Sequence, residues 1–316
     1  MEETIMKDSY AIPQESIRSI LEKYRLGSIS SFQEIKTGLI NPVFIINNQF
    51  ILKVNTKHTI ENKQKFEKEA FLLTLFSKSD IPSPKLIGFG ISGEIIKEDY
   101  LLMTYVEGET LTTAFENSDQ ETKDNLALQL GKVAREIHTI DIKEILLRPA
   151  LFGLKENWVK TTNLDFATYF KLIKERKLLP DNIIGSIEEI THKFSELGDL
   201  SDKLCLIHGD FSPNNFQVKN GLIVGVFDFE MATLGDPLYD LQKYSISFQL
   251  GDEFDKNAFL EGYGFKVISE AEKIRLKRYS LSQGLWEMWA TENQEFPFGD
   301  KEMKEGKNLI ARTLDL

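Results

Sequence analysis

The chain has 316 residues, 41% hydrophobic and 28% charged, which is an ordinary globular composition long enough for one large domain or two lobes. Its formal net charge of -11 disfavours a general binder of nucleic acid or of an anionic membrane, both of which need basic patches, and favours a cationic ligand. The single cysteine, Cys205, excludes an intramolecular disulfide and fits a reducing cytosol.

The opening stretch MEETIMKDSYAIPQES is acidic and has no apolar core, so it does not read as a secretory signal. No run approaches bilayer-spanning length, and there is no repeat or low-complexity tract. IPQESIRSILEKYRLG reads as a helix, with Pro13 in its first turn, Ile17, Ile20, Leu21 and Tyr24 as a stripe, and Gly27 at its end. SSFQEIKTGLINPVFIINNQFILKVNT then turns to Ile, Val and Phe, broken by Thr-Gly, Asn-Pro and Asn-Asn, and predicts short antiparallel strands. ENKQKFEKEAFLLTLF is helical; IPSPKLIGFG and EIIKEDYLLMTYV return to strand. From Asp119 helices dominate, KDNLALQLGKVAREIH carrying Leu126, Leu130, Val133 and Ile137 on one face. The pattern predicts an α+β, two-lobed chain: a small antiparallel-sheet lobe over 1–103, a connection over 104–108, and a larger, mainly helical lobe over 109–316.

The stretch LIHGDFSPNNFQV, residues 206–218, places His208, Gly209, Asp210 and an Asn-Asn pair between apolar runs. FQVKNGLIVGVFD beyond it is a hairpin by its own chemistry, because Asn220-Gly221 suits a tight turn with positive φ. With those two residues in the turn, Asn215 falls opposite Val226 and Asp228 lies just past the same open end, near Asn215, with Asp210 in the loop that leads in. Two carboxylates and a carboxamide oxygen gathered there would suit Mg²⁺, a hard cation that takes oxygen ligands. The plainer alternative is a surface loop whose Asn and Asp cap turns.

HGDFSPNNF followed by VFDFEMATLGDPLYDL resembles the aminoglycoside phosphotransferase and choline kinase family, which has a bilobal protein-kinase-like fold. The resemblance implies an ATP-dependent phosphotransferase that moves the γ-phosphoryl group to a hydroxyl of a small molecule, with ATP and Mg²⁺ as cofactors. It makes Asp210 the catalytic base and Asn215 and Asp228 the metal ligands, with His208 bracing the loop. A kinase also needs a strand lysine paired with a helix glutamate. FILKVN puts Lys53 in an apolar strand, and helical spacing puts Glu69 in the middle of the stripe formed by Phe66, Leu72, Leu73 and Phe76. A carboxylate on a buried face demands a partner, and Lys53 is the candidate; a glutamate snorkelling at the stripe's edge is the alternative. By resemblance, KTGLINPVF with Gly38 is the phosphate loop, and Thr104 (through its carbonyl) and Val106 (through its N–H) read the adenine edge with Met103 behind.

GFGISG, residues 88–93, matches G-x-G-x-x-G but lacks the strand-then-helix setting of a dinucleotide fingerprint, and reads as a turn. The loop is His-Gly-Asp without an arginine, and only MATL separates DFE from GDPLYDL, so a peptide acceptor is disfavoured. In GDPLYDL, Asp236 caps a helix begun by Pro237, while Asp240 ties that helix to the catalytic loop. The acceptor is expected to be an aminoglycoside-like polycation, or else another small alcohol, choline-like or a sugar; a non-catalytic binding module is the remaining rival. LSQGLWEMWATENQEF offers Trp286, Trp289, Glu287, Glu292 and Glu295 for a cation, or else is an amphipathic helix with a solvated acidic face.

Overall fold

The computed structural model describes residues 12–35, 41–153, 155–198, 200, 204–242, 250, 253–265, 267–293 and 299–315. Most of the expected phosphate loop, including Gly38, and Glu295 lie outside the described residues. The chain divides into two compact units, Met1–Glu107 with Gly225–Glu230, and Gly108–Val224 with Met231–Leu316.

In the first unit, Pro13 stands at the N-cap of α1 (Gln14–Lys23), and Ile17, Ile20 and Leu21 are fully buried. The helix closes earlier than Gly27 suggests. Leu26 donates its N–H to the Leu21 carbonyl at 2.9 Å, which requires Arg25 in a left-handed conformation, φ 57°. Five antiparallel strands follow, β1 (Phe32–Ile35), β2 (Val43–Ile46), β3 (Phe50–Asn55), β4 (Leu86–Gly90) and β5 (Asp99–Thr104), in the order β1-β2-β3-β5-β4. Asn47 and Asn48 turn β2 into β3 with φ 56° and 52°, a conformation Asn tolerates because its side chain bonds locally: Asn47 Oδ1 accepts from Ser30 N–H at 2.7 Å.

Strand alternation sorts β3, the central strand. Leu52 and Val54 join Phe44, Ile46, Tyr100 and Leu102 in the core that includes the α1 stripe. Lys53 alternates to the other face, toward α2 (Ile60–Phe76), with its Nζ 5.6 Å from the centre of the Phe66 ring. Thr59 caps α2 by accepting the Asn62 N–H.

GFGISG is a strand end and turn. A Cβ at Gly88 would fall 2.0 Å from the Tyr24 ring, and one at Gly90 would fall 1.9 Å from the Tyr100 ring. These glycines seat aromatic side chains on the sheet. The strand predicted from Glu94 starts only at Asp99, because Gly93 (φ 87°) turns the chain and donates to the Ile96 carbonyl at 2.8 Å.

The second unit begins with β6 (Glu109–Thr110), α3 (Leu111–Glu116), α4 (Gln120–Thr139, N-capped by Asp119), α5 (Lys143–Leu146), α6 (Pro149–Phe152), α7 (Lys155–Glu175) and α8 (Asp181–Ser195). Then come β7 (Cys205–Ile207), β8 (Phe216–Lys219), β9 (Leu222–Val226, whose last two residues count with the first unit), β10 (Thr233–Gly235), α9 (Pro237–Gln242), α10 (Lys256–Tyr263), α11 (Glu270–Asn293) and α12 (Asp300–Asp315). The antiparallel pair β7–β10 and the small sheet β6-β8-β9 are set among these helices. Asn220 and Gly221, with φ 52° and 71°, form the two-residue turn between β8 and β9. Phe166, Ile173, Ile187, Leu281, Leu285, Met288 and Ile310 make one core from α7, α8, α11 and α12. Among the described residues no helix is long and apolar enough to cross a membrane.

Candidate active site

The first unit holds a buried ionic cluster. Lys53 Nζ donates to Glu69 Oε2 at 2.8 Å and to Asp228 Oδ1 at 2.9 Å, with Glu230 Oε2 at 3.4 Å. The Lys53 and Glu69 side chains are 10% and 4% exposed, whereas that of Asp228 is 44% exposed. Burial alone would lower the Lys53 ammonium, but Glu69, Asp228 and Glu230 outweigh it and raise its pKa well above the ordinary lysine value. Burial raises the Glu69 carboxyl above the ordinary glutamate value, and the Asp228 and Glu230 carboxylates add to it while Lys53 opposes. Asp228 has φ 62°, an uncommon conformation for a non-glycine residue, at the step from β9 into the short 3-10 turn Phe229–Met231. The chain is anchored just before it by Val226, whose N–H reaches the Pro82 carbonyl at 2.6 Å.

Thr104 closes β5, donating its N–H to the Lys85 carbonyl at 3.0 Å and accepting the Lys85 N–H on its hydroxyl at 2.9 Å. Tyr105 donates to the Gln49 carbonyl at 2.7 Å, and Val106 lies just past the strand. Met103 is buried behind them.

The second unit holds the loop between β7 and β8. Gly209 has φ 77°, and a Cβ there would meet the Met231 carbonyl oxygen at 2.4 Å, so only glycine fits. The fully buried His208 ring accepts the Asp210 N–H on Nδ1 at 3.2 Å and lies edge-on to Phe211. Asn215 ends the 3-10 turn Pro213–Asn215, and its Nδ2 donates to the Asp210 carbonyl at 2.8 Å and to Asp210 Oδ2 at 3.0 Å. This orientation uses the amide nitrogen of Asn215 on Asp210 and turns its Oδ1 elsewhere.

The loop hangs on α9. Asp240, fully buried, accepts the His208 N–H on Oδ2 at 2.6 Å and the Gly209 N–H on Oδ1 at 2.9 Å. Burial would raise its carboxyl, but the His138 hydrogen bond and the His208 N–H prevail and hold it below the ordinary aspartate value. Asp236 caps α9 through the Leu238 N–H at 3.0 Å and accepts the Tyr279 hydroxyl at 2.8 Å.

The predicted acceptor stretch lies on α11. Glu287 accepts from Gln283 Nε2 at 3.1 Å, and Trp289 packs on Tyr169 with ring centres 5.0 Å apart. Arg176 already neutralises Glu292. Trp286 is half-buried.

Sequence reasoning missed Glu230, Lys68 and His138. Lys68 of α2 donates to the Glu230 backbone carbonyl at 3.0 Å, and burial lowers its pKa to about 8. The signals were faint: an acidic residue two positions after Asp228, a lysine on the flank of the α2 stripe, and a histidine ending the α4 stripe.

Mg²⁺ is typically held by one or two carboxylates together with substrate phosphates, and in the first unit the 44% exposed carboxylate of Asp228 is an oxygen donor of that kind.

Among curated proteins, the chain is 20% identical over 263 residues to Acyl-CoA dehydrogenase family member 10 of Mus musculus, covering 79% of this chain and 24% of that protein. It is 22% identical over 229 residues to Acyl-CoA dehydrogenase family member 11 of Pongo abelii, covering 68% and 28%. The chain thus spans about a quarter of the length of these first curated relatives. It also matches the probable aminoglycoside 3'-phosphotransferase of Lactococcus lactis subsp. lactis (strain IL1403), 23% identical over 271 residues, 83% of this chain and 91% of that one. Among solved structures, the GDP and kanamycin complex of APH(2")-IIia superposes with a TM-score of 0.72 at 16% identity, over 95% of this chain and 98% of the other. The streptomycin-ATP-APH(2")-IIa ternary complex gives 0.64 at 19%, over 96% and 97%. These likenesses show the protein-kinase-like fold, with its antiparallel-sheet N-terminal region and mainly helical C-terminal region. The model of the phosphotransferase enzyme family matches residues 31–274, well over half of the chain, and the chain belongs to that family.

Proposed function

We propose that the protein is an ATP-dependent small-molecule kinase that moves the γ-phosphoryl group of ATP to an acceptor hydroxyl, with an aminoglycoside-like polycation as the acceptor. The observation that carries the reading is the buried Lys53, held at 2.8 Å by Glu69 and at 2.9 Å by Asp228. A lysine and a glutamate this deep are expensive to bury, and sheet packing alone does not call for either. A fixed, protonated ammonium suits the α- and β-phosphates of a nucleotide. Thr104 and Val106 take the adenine edge through backbone groups.

Asp210 serves as base, oriented by the amide of Asn215, by the N–H it donates to His208, and by the Asp240 grip on the two preceding N–H groups. It aligns the acceptor hydroxyl and takes its proton; positioning and charge neutralisation supply most of the rate. Asn215 and Asp228 would hold Mg²⁺, which when bound neutralises charge on the phosphates. The net charge of -11 is consistent with a cationic acceptor.

A second reading, a metabolic hydroxyl on another small molecule, is favoured by the names of the first curated relatives, which are acyl-CoA dehydrogenase family members from animals. A non-catalytic binding module is disfavoured, because Lys53, Glu69, Asp210, Asn215 and Asp228 are all present.

The test is thermal shift with Mg-ATP, followed by ADP release in the presence of aminoglycosides and, separately, of small alcohols and hydroxylated acyl thioesters. A ligand specific for the native state raises Tm as ln(1 + [L]/Kd). A Tm rise with Mg-ATP and acceptor-dependent ADP release are expected, and the acceptor panel decides between the two readings. No shift with Mg-ATP and no ADP release with any acceptor would defeat the kinase reading.

A further inference from the structure

Tyr263, His138 and Asp240 lie on three different helices of the second unit and form one line of hydrogen bonds. The line ends on the backbone of the loop that carries Asp210. Asp240 of α9 holds the N–H groups of His208 and Gly209. His138 Nε2, on α4, lies 3.0 Å from Asp240 Oδ2. His138 Nδ1 lies 3.0 Å from the Tyr263 hydroxyl, at the end of α10. With Asp240 a carboxylate, Nε2 is the donor toward it. A neutral imidazole then offers Nδ1 as an acceptor, and the tyrosine hydroxyl donates.

We propose that Tyr263 is a positioning residue for Asp210: its hydroxyl, acting through His138 and Asp240, keeps the 208–210 loop in the shape that aims the Asp210 carboxylate. This rests on the assignment of Asp210 as the base. Gly209, with φ 77°, is the pivot of that loop, and Asp240 grips the N–H groups of His208 and of the pivot itself. A shift of Asp240 would therefore be passed directly to Asp210. The far end of the line is equally well anchored. A Cβ at Gly131 of α4 would fall 2.0 Å from the Phe259 carbonyl oxygen, and one at Gly262 of α10 would fall 2.0 Å from the Leu128 carbonyl oxygen. The two helices touch backbone to backbone, so the distance from Tyr263 to His138 is set by main chain. The Tyr263 ring is seated independently of its hydroxyl, stacked on Phe265 with centres 4.9 Å apart. A phenylalanine would fill the same space, leaving the hydroxyl with the orienting role.

Tyr263→Phe is expected to lower kcat about fivefold to tenfold, as for one lost part-buried hydrogen bond, with KM for ATP within about twofold of the wild type. Hydrogen exchange of the His208 and Gly209 amides should become faster. His138→Gln retains a donor for Asp240 but breaks the link to Tyr263, so it should behave alike. The double variant should be no slower than either single one, because a relay broken once is broken. Multiplying losses in the double variant, or wild-type kcat together with wild-type amide exchange in Tyr263→Phe, would overturn the proposal. Amide exchange is measured without turnover. If the wild type phosphorylates no acceptor but exchange still responds to Tyr263→Phe, the positional coupling stands and the kinase reading fails; if exchange does not respond, the coupling fails.

Discussion

Glu69 on α2 places Oε2 2.8 Å from Lys53 Nζ on β3, with both side chains at least nine-tenths buried. Lys53 is shared by three carboxylates, so removing the cation and removing one anion are unequal lesions. Lys53→Met leaves Glu69 and Glu230 buried without their cation and should destabilise by about 3–5 kcal/mol. Glu69→Gln leaves Lys53 two acids and should lose about 1–3 kcal/mol. Urea denaturation gives the comparison; equal losses would contradict a cluster centred on Lys53.

The same cluster sets a pH response. The folded-state pKa of Glu69 lies above its unfolded value, because of burial first and then its acidic neighbours. A raised carboxyl contributes stability that is complete below the unfolded value and is lost as pH rises through the folded one. In Lys53→Met the opposing cation is gone and the rise is larger, so stability of that variant should fall more steeply than that of the wild type as pH rises above the ordinary glutamate value, as measured by urea midpoints at a series of pH values.

Lys68 predicts the opposite slope. Burial lowers its pKa to about 8, so between about 8 and the ordinary value of 10.5 the unfolded chain binds more protons than the folded one. Stability relative to a Lys68→Met variant should therefore increase with pH across that window. Paired thermal melts at pH 7.5, 9 and 10 are the measurement, and a constant difference would show that Lys68 is not desolvated in solution.

Two glycines should respond in opposite directions to alanine. At Gly209 the φ of 77° and the 2.4 Å approach to the Met231 oxygen oppose any side chain, and Gly209→Ala should cost about 2–4 kcal/mol. Gly185, in the exposed interior of α8 with nothing within 4 Å of its would-be Cβ, should gain about 0.5–1 kcal/mol as alanine. Equilibrium unfolding of both variants tests this.

Magnesium dependence tests the donor set. Asn215→Ala and Asp228→Asn should each raise the Mg²⁺ concentration for half-maximal activity by about tenfold or more, whereas Asp210→Asn should lower kcat by about 100-fold or more with ATP binding retained. Unchanged metal dependence in both ligand variants would remove them from the metal assignment.

Much of this was legible in the chain itself. The α1 stripe, the α2 stripe with Glu69 inside it, and the Asn220-Gly221 turn follow from periodicity and from φ preferences that act within a few residues. Arg25 as the left-handed residue closing α1 was not legible. Its conformation is set by where Leu26 and Leu21 meet, and nothing about arginine announces it. The strand start at Asp99 was missed for the same kind of reason: the turn at Gly93 depends on a bond to Ile96 that an apolar run does not reveal.

The candidate set Lys53, Glu69, Asp210, Asn215 and Asp228 is proposed from the sequence, on local spacing together with the family resemblance; the structure joins Lys53 to Glu69 and Asp228 in the first unit and Asn215 to Asp210 in the second. What only the tertiary structure decided is how each is held: Glu230 as a third acid on Lys53, Lys68 on the Glu230 carbonyl, and the Asp240–His138–Tyr263 line behind Asp210. Those partners are 102 to 177 positions apart where they pair. Contacts at such separations are fixed by helix and sheet packing, and a hydrogen bond across them leaves no periodic trace in the chain.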